Sequence, residues 1–365
     1  MPRSGTYFVG LLCGVPALLA GLFALEVHPI AGVLVTLAAM ALLLSSATEL
    51  YRAPGIHKAT QRAGAGLPAL QGTMLRYAQG PLLRGAGTDA GMRRSSPNSL
   101  LDVEFAQLSD RGCVREDNED YLGFALPATP DEARTQGWLF AVADGVGGQE
   151  QGQVAAKAAV EKLVAGFREA PKNEAHTRLL PRLIQTANTH VYETGRTAAP
   201  ASVAMATTIV ACALRFDRLV VAHVGDSRCY LIRRGHARLL TRDHTVAGEQ
   251  LRLGVLSTQE AASARTRHLL SRSLGNDLFV AVDTSEDLLL TGDVLLLCSD
   301  GLHGPVTAAD MAHVVSSRAD LQAAAQELVA IANQRDGSDN ISLQLIRVRG
   351  VERMGMYRGR PYKLR

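Results

Sequence analysis

Hydrophobic and polar positions divide the chain into unlike stretches. Residues 7–25 carry no charged side chain, and after Glu26, Val27, His28 and Pro29 residues 30–47 are again apolar and uncharged. Each run is close to the roughly 20 residues that a helix needs to cross a bilayer. Two such runs joined by a polar turn predict a hairpin of two transmembrane helices, and their frequent Gly and Ala permit close contact in lipid. A signal peptide would have one shorter apolar core and a cleavage site. A soluble buried hairpin would need apolar partners, which the next stretch does not offer. Residues 51–100 hold many Gly, Ala, Pro and Arg without a sustained period, and read as a linker with a short helix over 67–83.

From residue 101 the pattern is that of a folded domain. Leu101, Val103 and Phe105 alternate with Asp102 and Glu104, as in a half-buried strand. Residues 138–143 and 294–298 are short apolar runs, each ending beside an Asp-Gly pair. The spacing predicts helices over 152–170, 179–198, 308–316 and 321–333. Strands are expected over 207–214, on both sides of Gly225-Asp226-Ser227, and over 341–348. Strict βαβ alternation is missing, which favours an α+β sandwich over a doubly wound parallel sheet. The predicted organisation is a transmembrane hairpin over 1–50, a basic linker over 51–100, a catalytic domain over 101–349 and a basic tail over 350–365.

Composition sharpens this picture in three places. Apolar content is 47% and charged content 20%, enough for a sizeable core and against global disorder. The net charge of +3 gives no reason to expect a nucleic-acid partner. Arg3 precedes the first apolar run and Arg52, Lys58 and Arg62 follow the second, whereas the turn has only Glu26 and His28. The positive-inside rule then places both ends and the catalytic domain on the cytoplasmic side of the inner membrane. The basic linker and tail suit anionic membrane lipid; a solvated linker and tail is the plainer alternative. The five cysteines are odd in number and form no C-x-x-C pair, which argues against a disulfide framework and a structural zinc site.

Candidate chemistry lies in four short motifs: Arg115 to Asp120 (REDNED), Asp144-Gly145, Ser299-Asp300-Gly301 and Asp339-Asn340. Carboxylates repel one another, so a fold that gathers several usually does so around divalent metal. No P-loop or nucleophile elbow is present, and Cys298 does not open a phosphate-cradling C-x5-R loop, since position 304 is Gly. His223 lies in an apolar run and reads as structural; His244 reads as fixing a loop. A lone Asp-Gly or Asp-Asn is an ordinary turn. The four motifs in order, with Gly225-Asp226-Ser227-Arg228 and Thr241-Arg242-Asp243-His244 between them, carry the signal.

These motifs resemble the metal-dependent Ser/Thr protein phosphatases, the type-2C class, over residues 103–348. The resemblance implies a four-layer α-β-β-α sandwich of two antiparallel sheets. It implies that Asp120, Asp144, Asp300, Asp339 and the carbonyl of Gly145 hold two Mn2+ or Mg2+ ions, with Asp226 helping to hold a third. It assigns Glu119 to holding metal-bound water and Arg115 to gripping the substrate phosphate, a task suited to a forked guanidinium that stays charged. The implied reaction is hydrolysis of phosphoserine and phosphothreonine by hydroxide held between two metals. The implied partners are proteins phosphorylated by Ser/Thr kinases. Residues 245–274 are expected to form the mobile flap beside the metals. Two departures stand out: Val146 and Gln149 occupy positions where some members carry His, which leaves the acid for the leaving oxygen unassigned. Two rival readings are a catalytically silent scaffold that binds phosphoproteins and a metallophosphatase for small molecules.

Overall fold

The computed structural model describes residues 101–146, 150–198, 205–352, 354–357 and 360–363. The expected transmembrane hairpin, over 7–25 and 30–47, and the linker helix over 67–83 lie outside the described residues. Among the described residues no helix is long and apolar enough to cross a membrane.

Two five-stranded antiparallel sheets form the centre. One has the order β1 (Leu101–Asp110), β12 (Ile341–Val351), β11 (Val294–Cys298), β8 (Arg228–Arg233) and β9 (His236–Leu239). The other runs β10 (Asp283–Leu288), β7 (Arg218–Val224), β6 (Ile209–Arg215), β3 (Trp138–Ala143) and β2 (Tyr121–Ala125). The two-residue strands β4 (Gly145–Val146) and β5 (Ala206–Thr207) pair beside them.

Each central strand is buried on both faces, which explains its unbroken apolar run. In β3, Trp138, Phe140 and Val142 fill the space between the sheets, packed with Leu295, Leu297 and Ile346 of the opposite sheet. Leu139, Ala141 and Ala143 face outward, against α2 (Glu150–Arg168) and α3 (His176–Ala198). In β11, Val294, Leu296 and Cys298 face outward instead, against α7 (Ala308–Ser317) and α8 (Leu321–Arg335). The period of 2 along each strand therefore builds the four layers that the resemblance implied. Among the described residues there are also the short helices α1 (Pro130–Thr135), α4 (Val246–Arg252) and α5 (Thr258–Ser263). A single-turn helix, α6 (Asp300–His303), follows β11.

Small residues set the distance between helix and sheet. Ala155, Ala156 and Ala159 of α2 lie on the alanines of β3. A side chain at Gly123 of β2 would collide with Val160 of the same helix. This close seat brings the first turn of α2 down to the end of β3.

Strand register then fixes where the motifs meet. Tyr121 pairs with Ala143, so Asp120 precedes β2 where Asp144 follows β3. In the other sheet Cys298 pairs with Leu343, so Asp300 follows β11 where Asp339 precedes β12. Ile209 pairs with Val224, which delivers Asp226 to the same end. The segment read as a basic tail carries β12 to Val351 and then a hairpin of β13 (Met354–Tyr357) and β14 (Arg360–Lys363).

Candidate active site

The four aspartates of the sequence motifs meet at one end of the sandwich, joined from both sheets. The hydroxyl of Ser299, at the end of β11, donates to Asp120 Oδ2 of the other sheet at 2.8 Å. The same Ser299 oxygen accepts the backbone N–H of Ser342 at 3.0 Å, which ties β12 into the contact. Asp300 lies within hydrogen-bonding reach of Asp144, and both Asp300 and Asp339 repel Asp120. Asp144 is buttressed from behind. Its carbonyl accepts from Thr208 N at 2.8 Å and Thr207 Oγ1 at 2.7 Å, and its N–H donates to Thr208 Oγ1 at 3.1 Å.

The electrostatics match a site built for cations. Burial, with Asp300 and Asp339 as like-charged neighbours, pushes Asp120 up to about 7, against the hydrogen bonds of Ser299 and Ser342. Burial and the charges of Asp120, Asp300, Asp226 and Asp339 hold Asp144 well above the usual carboxylate range. Burial and Asp300 likewise raise Asp226 to about 7. Desolvation also pushes on Asp300, but contacts with His268, His303 and Asp144 outweigh it and its pKa is lowered. The oxygen Asp120 Oδ1 is buried without a hydrogen-bond partner. A cluster of oxygen donors that cannot all ionise without company, one of them orphaned, fits hard divalent cations. The donor set therefore suits Mn2+ or Mg2+ at Asp120, Asp144, Asp300, Asp339 and the Gly145 carbonyl. A side chain at Gly145 would collide with Gly152 of α2 and with the Glu119 carbonyl, so only glycine fits there.

Glu119 and Arg115 stand beside this cluster. Glu119 is nearly buried, and its carboxylate lies against Gly152, where any side chain would strike it. Arg115 is half-exposed and its Nη2 reaches both oxygens of Asp339, each at 2.9 Å. Burial lowers the Arg115 pKa but Asp339 outweighs it, so the guanidinium is charged throughout the physiological range. Asp226 sits on the other flank, its carbonyl 3.0 Å from His303 Nε2. Val146 lines the cleft; Gln149 lies outside the described residues.

Sequence reading missed what holds these parts together. Asn340 was visible only as half of a dipeptide. Its Nδ2 donates to the carbonyls of Arg111 (3.0 Å) and Asp117 (2.9 Å), and its Oδ1 accepts from Glu119 N at 2.8 Å. One amide thus clips the whole loop that carries Arg115, Glu119 and Asp120 onto the start of β12. The Arg228 guanidinium grips both oxygens of Asp243, at 2.9 and 2.6 Å, and donates to Tyr230. His268, from the segment expected as the flap, brings Nδ1 to 3.8 Å from Asp300 Oδ2. None of these pairings follows from local spacing.

His223 and His244 fulfil the structural roles expected of them. His223 Nε2 lies 2.7 Å from the Arg242 carbonyl, and His244 Nδ1 accepts from Gly225 N at 3.2 Å. With Asp283 these imidazoles form a compact group of potential metal ligands. The rings are stacked, with centroids 4.7 Å apart and planes 20° apart, so their lone pairs run alongside one another. Arg272 already donates to Asp283 at 3.0 Å in that group. The arrangement is a strut between β7, β10 and the 245–274 segment.

The family question is decided by the whole domain. Residues 109–341 match the family model described as Protein phosphatase 2C. The chain belongs to the protein phosphatase 2C family. It is 35% identical over 263 residues to a serine/threonine phosphatase (stp) of Listeria innocua, covering 71% of this chain and 99% of that one. It is 29% identical over 246 residues to the protein phosphatase PhpP of Streptococcus pneumoniae, covering 67% of this chain and 97% of that one. Among solved structures, the S. agalactiae serine/threonine phosphatase is similar with 33% identity and a TM-score of 0.62, over 67% of this chain and 99% of that one. The catalytic domain of the phosphatase PstP in complex with 2 manganese ions matches with 28% identity and a TM-score of 0.57, over 67% and 98%. The chain is thus a protein phosphatase enzyme of the 2C type.

Two expectations follow. Asn340→Ala removes three hydrogen bonds from a buried amide; it should cost about 1–3 kcal/mol in denaturant unfolding and lower kcat/KM roughly 100-fold, because Arg115 and Glu119 lose their anchor. Asp120→Asn should stabilise the metal-free protein while abolishing activity. The sign is this: Asp120 has a raised folded pKa, so its contribution is full below the unfolded value near 4 and is lost as pH rises through about 7. In EDTA the Asn variant should therefore melt roughly 2–8 °C above the unmodified protein at pH 8 and level with it near pH 4. An equal melting difference at both values would contradict the repulsion argument.

Proposed function

We propose that the chain is a membrane-anchored, Mn2+/Mg2+-dependent phosphatase of phosphoserine and phosphothreonine in cytoplasmic proteins. The observation that carries the catalytic part is the meeting of Asp120, Asp144, Asp300 and Asp339 beside a forked cation, Arg115. Bound divalent ions would neutralise the phosphate dianion and lower the pKa of water. The protein's own groups do the rest. Asp120, Asp144, Asp300, Asp339 and the Gly145 carbonyl would hold the ions, and Asp226 would contribute to a third, weaker site. Arg115 orients the phosphate through paired N–H donors. Glu119, pressed against Gly152, keeps a carboxylate at the edge of the cluster, where it can hold water in place. A silent scaffold would not require this full donor set.

The anchor rests on the apolar runs over 7–25 and 30–47 and the basic residues flanking them. We assign residues 1–50 to a hairpin in the inner membrane, 51–100 to a basic linker and 101–349 to the catalytic domain in the cytoplasm. Basic residues of the linker and of 350–365 would lie against anionic lipid.

The test is turnover. With Mn2+ the protein should dephosphorylate phosphothreonine peptides, and excess EDTA should suppress the rate by about 100-fold or more. Asp300→Asn should lose activity to a similar degree with the metal present. Turnover unchanged by EDTA would contradict the proposal.

A further inference from the structure

The cleft that holds the carboxylates is larger than a phosphate requires. It measures ≈ 1790 Å³ and extends from the aspartates along the segment between Arg242 and Ser273. Its charges are unevenly spent. Glu249 is shared between Arg252 at 2.7 Å and Arg272 at 3.0 Å. Glu260 is consumed as the capping-box partner of Ser257 at the start of α5. Across the cleft, Arg335 is paired with Asp310 at 2.6 Å. Arg242 and Arg267 line the same cleft, are exposed, and among the described residues have no carboxylate within ion-pair distance. Arg267 is oriented without being neutralised: its Nε donates to His268 at 2.7 Å and its Nη1 to the Ala262 carbonyl at 3.2 Å. Leu251 and Leu269 line the same cleft with 39% and 57% of their surface open to solvent.

Two uncommitted guanidiniums and two exposed leucines in the wall of one cleft make a surface with a complement. We propose that Arg242, Arg267, Leu251 and Leu269 form the subsite that reads the residues flanking the phosphorylated one. It selects polypeptide segments that carry an acidic or second phosphorylated side chain next to an apolar one. Arginine favours such partners because its fork matches carboxylate and phosphate oxygens. An anionic bilayer presents the same charge, but these four residues line a concave cleft shared with the catalytic carboxylates, which a flat surface does not enter. The inference rests on the reading that phosphoproteins are the substrates.

The test uses the full chain with Mn2+ and two phosphothreonine peptides that differ only in flanking Glu-Leu versus Gln-Leu. Rates are referenced to p-nitrophenyl phosphate turnover by the same protein. The Glu peptide should show a kcat/KM about 3–10-fold higher, carried by KM, as expected for one or two exposed charge pairs. That preference should shrink in high salt and fall to near 1 in the Arg242→Gln/Arg267→Gln protein. Equal handling of the two peptides, or a preference that survives the double substitution, would overturn the inference while leaving the phosphatase reading intact. A double variant that loses binding to phosphatidylserine vesicles while its peptide ratio stays put would assign the arginines to lipid and overturn it too. Turnover of p-nitrophenyl phosphate with neither peptide cleaved would instead remove the protein-substrate reading, and this inference with it.

Discussion

Mutual repulsion among Asp120, Asp144, Asp300 and Asp339 is the constraint on which the rest of the structure turns. No isolated loop would hold four carboxylates so close that burial and like charge push Asp120 to about 7 and hold Asp144 well above the usual carboxylate range. The force that overcomes this repulsion lies elsewhere, in the apolar layer between the sheets and the two layers beneath the helices. Burial of that much apolar surface is the dominant favourable term in folding. It fixes strand register, and register places the ends of β3 and β11 beside the starts of β2 and β12. That repulsion would give a divalent cation at the site a higher affinity for the folded chain than for the unfolded one.

Between core and cluster lies a layer of neutral hydrogen bonds. Ser299 joins the two sheets at Asp120, Thr207 and Thr208 brace Asp144, and Asn340 clips the loop of Arg115. These groups carry no charge, so they orient the carboxylates without competing for a cation. Arg228 and Asp243 form a second, charged brace in the wall of the cleft, and the stacked pair His223–His244 a third. The site is thus held by parts drawn from both sheets and from the 245–274 segment.

Much of this was legible in the sequence, for a physical reason. Residues 138–143 and 294–298 are buried on both faces, and an apolar run of that length bounded by Asp-Gly has few other readings. The four aspartates that meet at the site could be named because each sits beside a residue of special geometry at a strand end. β10 was missed because it is an edge strand, alternating half-buried and exposed positions in an almost wholly polar run. The short helices α4 and α5 were read only as an undifferentiated flap, although Thr245 and Ser257 cap them. The roles of Asn340 and Ser299 were beyond local reasoning, since their partners Glu119 and Asp120 lie 221 and 179 residues away. The apolar runs over 7–25 and 30–47 remain a reading of composition and length alone.

The central claim is that folding assembles a divalent-cation site from these four aspartates and the Gly145 carbonyl. Diffraction from crystals grown with Mn2+, recorded at the manganese absorption edge, tests it directly. Anomalous peaks are expected about 2 Å from oxygens of Asp120, Asp144, Asp300 and Asp339. Peaks confined to the His223–His244–Asp283 group, or carboxylates that stay paired through shared protons in saturating Mn2+, would contradict it.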